Sequence, residues 1–140
     1  MSTTNIFVTV PVADLEVSKA FYTALGYTVN PNFSDESSAC IVLSDTIYVM
    51  LLAKSRFGDL TDRELVDPKT HTQALHALGV ETRDEVDALA ATALDAGGSV
   101  PGDPQDFGFM YARDIEDPDG NGWQITWMDP AAQQNGPPAE

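Results

Sequence analysis

Val80-Glu81-Thr82-Arg83-Asp84-Glu85 carries the chain from a strand into a helix, and it belongs to a pattern that occurs twice. Thr82 and Glu85 form a T-x-x-E capping box, in which the hydroxyl satisfies a free amide of the first turn and the carboxylate reaches back to the cap. Val86, Leu89, Ala90, Ala93 and Leu94 then recur at helical spacing, and Gly97-Gly98 ends the run. The same order stands at the beginning of the chain. Residues 5–12 alternate, with Ile6, Val8, Val10 and Val12 on one face and Phe7, Thr9 and Pro11 on the other, as in a strand. Asp14 then offers a capping oxygen, Val17, Ala20, Phe21, Ala24 and Leu25 follow at helical spacing, and Gly26 closes the helix. Strand, capped helix and glycine stop occur twice, which is an internal repeat of pattern rather than of residue identity.

Each helix is followed by extended segments. In the first half these are residues 27–33, 38–43 and 46–53, the last two joined by a tight turn at Ser44-Asp45. In the second half they are residues 108–114 and 122–128, turning at Asp117-Pro118-Asp119-Gly120-Asn121, and a weaker piece over residues 99–104 that two prolines interrupt. The chain is therefore expected to be α+β, with a first βαβββ module over residues 1–57 and a second over residues 72–129. Residues 58–71 connect them and contain a second T-x-x-E, Thr61 to Glu64, which suggests a short helix or a lid. Residues 130–140 read as a flexible tail.

The chain has 140 residues, 43 % of them hydrophobic and 21 % charged, a composition that supports a packed core. Its 22 acids against 7 bases give a formal charge of −15, which repels nucleic acid and anionic membrane surfaces. No apolar run is long enough to span a bilayer and no signal-like start is present, so the protein is expected to be cytoplasmic, with neither nucleic acid nor membrane as partner. Cys40 is the single cysteine and excludes an internal disulfide.

Two motifs carry a resemblance to a known family. Val12-Ala13-Asp14, Ser18-Lys19-Ala20-Phe21-Tyr22 and Leu25-Gly26 are similar to the V-x-D, S-x-x-F-Y and L-G signature of the vicinal oxygen chelate superfamily, which includes glyoxalase I, bleomycin resistance proteins and extradiol dioxygenases. Asp117 to Asn121 resembles the D-P-D-G-N turn before the last strand of that family. The resemblance extends from Asn5 to about Asp129. It implies two tandem βαβββ modules whose mixed sheets curl into a cup, with helices on the convex side, and it implies a homodimer.

The alternation assigns side chains to that cup. Phe7, Thr9, Tyr48, Met50, Leu52, Leu75, Ala77, Gln124, Thr126 and Met128 are expected to face it, together with Phe109, Tyr111 and Arg113 in preference to Met110, Ala112 and Asp114. Members that perform chemistry hold a divalent ion with His and Glu side chains from the first and last strands of each module. Here those positions offer Phe7, Tyr48 or Met50, Leu75 and Gln124. His76 is one step from Leu75 and so points to the opposite sheet face, and His71 lies in the connecting segment. No metal and no cofactor are therefore expected. The expected ligand is a small, partly apolar organic molecule. Tyr48, Met50, Phe109 and Tyr111 would give it apolar contact, Thr9, Arg113, Gln124 and Thr126 would orient its polar groups, and Phe7 is counted among the ligand-binding residues. An inward Arg113 would favour a carboxylate or phosphate; otherwise it would pair at the surface with Asp114 or Glu116. The alternatives are a metal-dependent lyase or dioxygenase of the glyoxalase type, and an interaction module whose cup is filled by side chains.

Overall fold

The computed structural model describes residues 2–139 and divides into two compact units that meet in sequence between Asp67 and Pro68, inside the connecting segment. In the first unit, β1 (Ile6–Val12), α1 (Leu15–Ala24), β2 (Thr28–Asn30), β3 (Ser38–Val42) and β4 (Ile47–Ala53) form a four-stranded sheet in the order β1-β4-β3-β2. The second unit repeats this with β5 (His76–Gly79), α3 (Arg83–Asp95), β6 (Gln105–Asp106), β7 (Met110–Glu116) and β8 (Gly122–Met128), in the order β5-β8-β7-β6. The first and fourth strands of each unit pair in parallel and the others antiparallel, so each sheet is mixed.

Both helices begin where the sequence places their caps. The Asp14 carboxylate accepts from the amides of Glu16 and Val17 at 3.1 and 3.2 Å, and the Thr82 hydroxyl from Glu85 at 3.1 Å. In the first unit, Phe21 and Tyr22 of α1 are buried beside Val10, Val12, Ala39, Ile41, Val49 and Leu51. Each valine, isoleucine or leucine so enclosed contributes roughly 1.5–3 kcal/mol of burial. The core of the second unit is made by Val86, Ala90 and Ala93 of α3 with Ile115, Trp123 and Ile125.

Four segments depart from the sequence reading. The extended run over residues 27–33 stops at Asn30, because Pro31 opens a 3-10 turn whose Asn32 amide donates to the Asn30 side chain. The connecting helix is α2 (Lys54–Gly58), running directly out of β4. At Thr61 the hydroxyl accepts from the Arg63 amide at 3.1 Å and closes a local turn, so the second T-x-x-E caps no helix. Over residues 99–104, Pro101 and Pro104 lack amide donors and only Ser99 bridges, to Glu116; the edge strand β6 forms after them. The stretch read as a tail carries α4 (Pro130–Asn135), with Pro130 at its start, the Asp129 carboxylate accepting from Ala131 and Ala132 buried.

The Asp117 to Asn121 turn is internally bonded. Asp117 is 3 % exposed, and its carboxylate accepts from the amides of Asp119 and Asn121 at 3.0 and 2.9 Å and from the Asn121 side chain at 3.0 Å. Gly120 has φ +97°, and a Cβ there would stand 3.1 Å from the Lys69 backbone nitrogen and the Pro68 carbonyl carbon. Glycine is required on both counts.

Candidate functional site

Each sheet has one face covered by its helix and one turned away from it, called here the distal face. On β1 and β4 the parallel register pairs Phe7 with Tyr48, Thr9 with Met50 and Pro11 with Leu52. These residues alternate with the buried Val10, Val12, Val49 and Leu51, and so all six stand on the distal face, where the sequence places them. The Phe7 and Tyr48 rings stack in parallel, with centroids 4.7 Å apart and planes 12° apart. The Tyr48 hydroxyl donates to the Asp45 carbonyl at 2.8 Å, which fixes that ring. Phe7 stacks on it with 57 % of its own surface exposed. Cys40 pairs with Met50 and is buried, and that burial raises its thiol pKa, so the thiolate a nucleophile needs is disfavoured.

In the second unit the hairpin register decides the facing. Counting outward from the turn, Glu116 meets Gly122, Asp114 meets Gln124, Ala112 meets Thr126 and Met110 meets Met128. These pairs form the distal face, joined by Ala77, the partner of Gln124 on β5. The other parity brings Tyr111, Arg113 and Ile115 to Trp127, Ile125 and Trp123, on the side of α3. The expected inward placing of Tyr111 and Arg113 is therefore corrected. Tyr111 donates its hydroxyl to Asp87 of α3 at 2.7 Å, a bond that stabilises the neutral phenol and raises its pKa. Arg113 lies 3.8 Å from the same carboxylate, not against Asp114 or Glu116. Phe109 precedes β7 and sits near Phe107, with ring centroids 6.4 Å apart.

The α3 side carries a further polar group of residues. Arg83 grips the Asp106 carboxylate through two nitrogens and lies over the Tyr111 ring, 4.5 Å from its centroid. That pairing holds the Asp106 carboxyl below the usual range, with help from the Gly108 amide. Asp106, though exposed, is thus clipped to the start of α3.

On the distal face of the second sheet, Gln124 donates its amide nitrogen to Asp114 at 3.2 Å. Since a carboxylate only accepts, the Gln124 carbonyl oxygen is left as a second acceptor. The Thr126 hydroxyl is buried without a hydrogen-bond partner among the described residues. Asp114 and Met110 belong to this face in place of Tyr111 and Arg113. The register across the Asp117 to Asn121 turn puts Asp114 on the same face as Gln124.

Among the described residues no three His, Cys, Asp or Glu side chains converge. His76 pairs with Trp123 on the α3 side, ring centroids 5.4 Å apart, and His71 bonds to Thr70. No helix of the described residues is long and apolar enough to cross a membrane.

Comparison with known proteins bears on the fold. Residues 4–44 match a family model described as bleomycin resistance protein-like N-terminal. No curated protein matches the chain. A hypothetical protein from S. aureus is 26 % identical, with 91 % of this chain and 95 % of that one aligned at a TM-score of 0.77. A glyoxalase/bleomycin resistance protein/dioxygenase family enzyme from Burkholderia phytofirmans PsJN is 17 % identical, over 87 % of this chain and 96 % of that one, at 0.72. A glyoxalase-related enzyme from Fulvimarina pelagi is 19 % identical, over 86 % and 85 %, also at 0.72. With its two βαβββ units, its 1-4-3-2 strand order in each sheet and these neighbours, the chain has the glyoxalase/bleomycin resistance protein/dioxygenase fold, that of the vicinal oxygen chelate superfamily.

Proposed function

We propose that this protein binds a planar, partly apolar organic molecule on the distal face of its first sheet, in a sequestering role that uses no metal. The observation that carries this reading is the Phe7–Tyr48 stack, in which a fixed tyrosine orients a phenylalanine that is 57 % exposed. A large aromatic side chain held flat against its neighbour is a preformed surface for another ring, and such a contact is worth about 0.5–1.5 kcal/mol beyond the area it buries. Thr9 beside it supplies a hydroxyl, and Met50 an adaptable thioether that follows the outline of different ligands. The match of residues 4–44 to a bleomycin resistance protein-like model fits a binding role for this same module. Neither alternative has comparable support: a lyase or dioxygenase would need an ion-binding donor set, and a filled cup would leave no open ring.

Titration of naphthylmethanol into isotopically labelled protein tests the reading. Chemical-shift changes are expected at Phe7, Thr9, Tyr48 and Met50. Phe7→Ala, a change at an exposed side chain, should weaken binding roughly tenfold through loss of the stack and its buried area. An unmoved spectrum at millimolar probe, or equal affinity in the variant, would sink the proposal. One equivalent of tightly held Zn, Ni or Fe in purified protein would overturn its metal-free part.

A further inference from the structure

We infer that the distal face of the second sheet recognises a positively charged, hydrogen-bond-donating group of an organic ligand, with Asp114 as the accepting carboxylate. This rests on the ligand-binding reading of the first sheet's distal face, extends it to the equivalent face of the second sheet and adds the chemical class that this face selects. Asp114 is half-buried, its hydrogen bond comes from the neutral amide of Gln124, and it forms no ion pair with any described residue. Its sequence neighbour Arg113 points to the opposite face, toward Asp87. Met110, Ala112, Gln124, Thr126 and Ala77 share the face by register and bring no cation to it, and its other carboxylate, Glu116, already accepts from the Ser99 hydroxyl.

A carboxylate that accepts one amide bond retains further acceptor positions, and the Gln124 carbonyl oxygen adds another. Along the same strand, the Thr126 hydroxyl is buried with its hydrogen-bonding capacity unused. The carboxylate and amide oxygens are acceptors, and Met110 and Met128 flank them with apolar surface that strengthens a charge-assisted bond. The formal charge of −15 concentrates cations near the protein and disfavours anions. The carboxylate or phosphate ligand that an inward Arg113 would select has no partner here.

Three probes of one skeleton test this: naphthylmethylammonium, naphthylmethanol and naphthoate, titrated at pH 7 in low and in 0.5 M salt so that general attraction to an acidic protein is screened. The ammonium is expected to bind roughly tenfold more tightly than the carboxylate in both conditions, as a short-range charged hydrogen bond requires. It should shift Asp114, Gln124 and Thr126. Asp114→Asn should lower its affinity to that of the alcohol, while Asp103→Asn, the same charge change in the β6 loop, should preserve the preference. Naphthoate binding as tightly as the ammonium, or a preference that survives Asp114→Asn, would overturn the inference; the wild-type ratio decides even if that variant is unstable. If the three probes bind alike and shift only Phe7 and Tyr48, the inference alone falls. If none binds, the underlying reading falls with it.

Discussion

Where β1 and β4 place Phe7 beside Tyr48 on the distal face, the equivalent pair of strands in the second unit, β5 and β8, places Ala77 beside Gln124. The two pairings are parallel and stand at the same point of the same strand order. One presents stacked rings; the other presents a methyl group and an amide bonded to Asp114. The repeated backbone therefore sets where side chains can project, and each module fills that frame with different chemistry. Apolar stacking is offered by one and hydrogen-bond acceptance by the other.

The hairpins diverge as well. Between β3 and β4 the chain turns at Ser44 to Thr46, where a serine hydroxyl accepts from the Thr46 amide at 3.3 Å. Between β7 and β8 the buried Asp117 accepts from two amides and a side chain. The largest effect expected from breaking the comparison lies here. Asp117→Ala leaves those donors without their acceptor and should cost about 3 kcal/mol, whereas Asp45→Ala should cost less than about 0.5 kcal/mol. Urea unfolding of the two variants measures both. Gly120→Ala should resemble the former, since it adds a Cβ at positive φ against the Pro68–Lys69 backbone.

A smaller effect sharpens the contrast between the two faces of the second sheet. Arg113→Lys should change naphthylmethanol affinity less than about twofold and stability by at most about 1 kcal/mol, because Arg113 serves an ion pair on the α3 side. A large loss of binding would return Arg113 to the distal face and contradict the register. The smallest expected effect is a titration shift. Arg83 and then the Gly108 amide hold the Asp106 carboxyl below its ordinary range. A depressed folded pKa means that the clip is fully present above the unfolded value and is lost as pH falls through the folded one. Carbon-detected NMR should find Asp106 titrating below the usual range in wild type and moving back toward it in Arg83→Gln.

Much of this was legible from local pattern. The caps at Asp14 and Thr82, the alternation along β1, β4 and β8 and the glycine-bearing turn are set by neighbours in sequence, and they placed both modules and the Phe7, Thr9, Tyr48 and Met50 face. The N-terminus of α2 escaped because Ala53 gives no side-chain cap, while Thr61 to Glu64 imitates one. The α4 helix escaped because its residues carry no apolar periodicity.

The repeat, the strand and helix types and the alternation within each strand follow from local order along the chain, because hydrophobic period and capping are properties of adjacent residues. Which parity of β7 faces the helix depends on contacts distant in sequence. Tyr111 and Arg113 are as reasonable a lining as Met110 and Asp114 when the strand is read alone. Pairing across the Asp117 to Asn121 turn locks Asp114 to Gln124, and the Asp87 carboxylate on α3 draws Tyr111 and Arg113 to the other side.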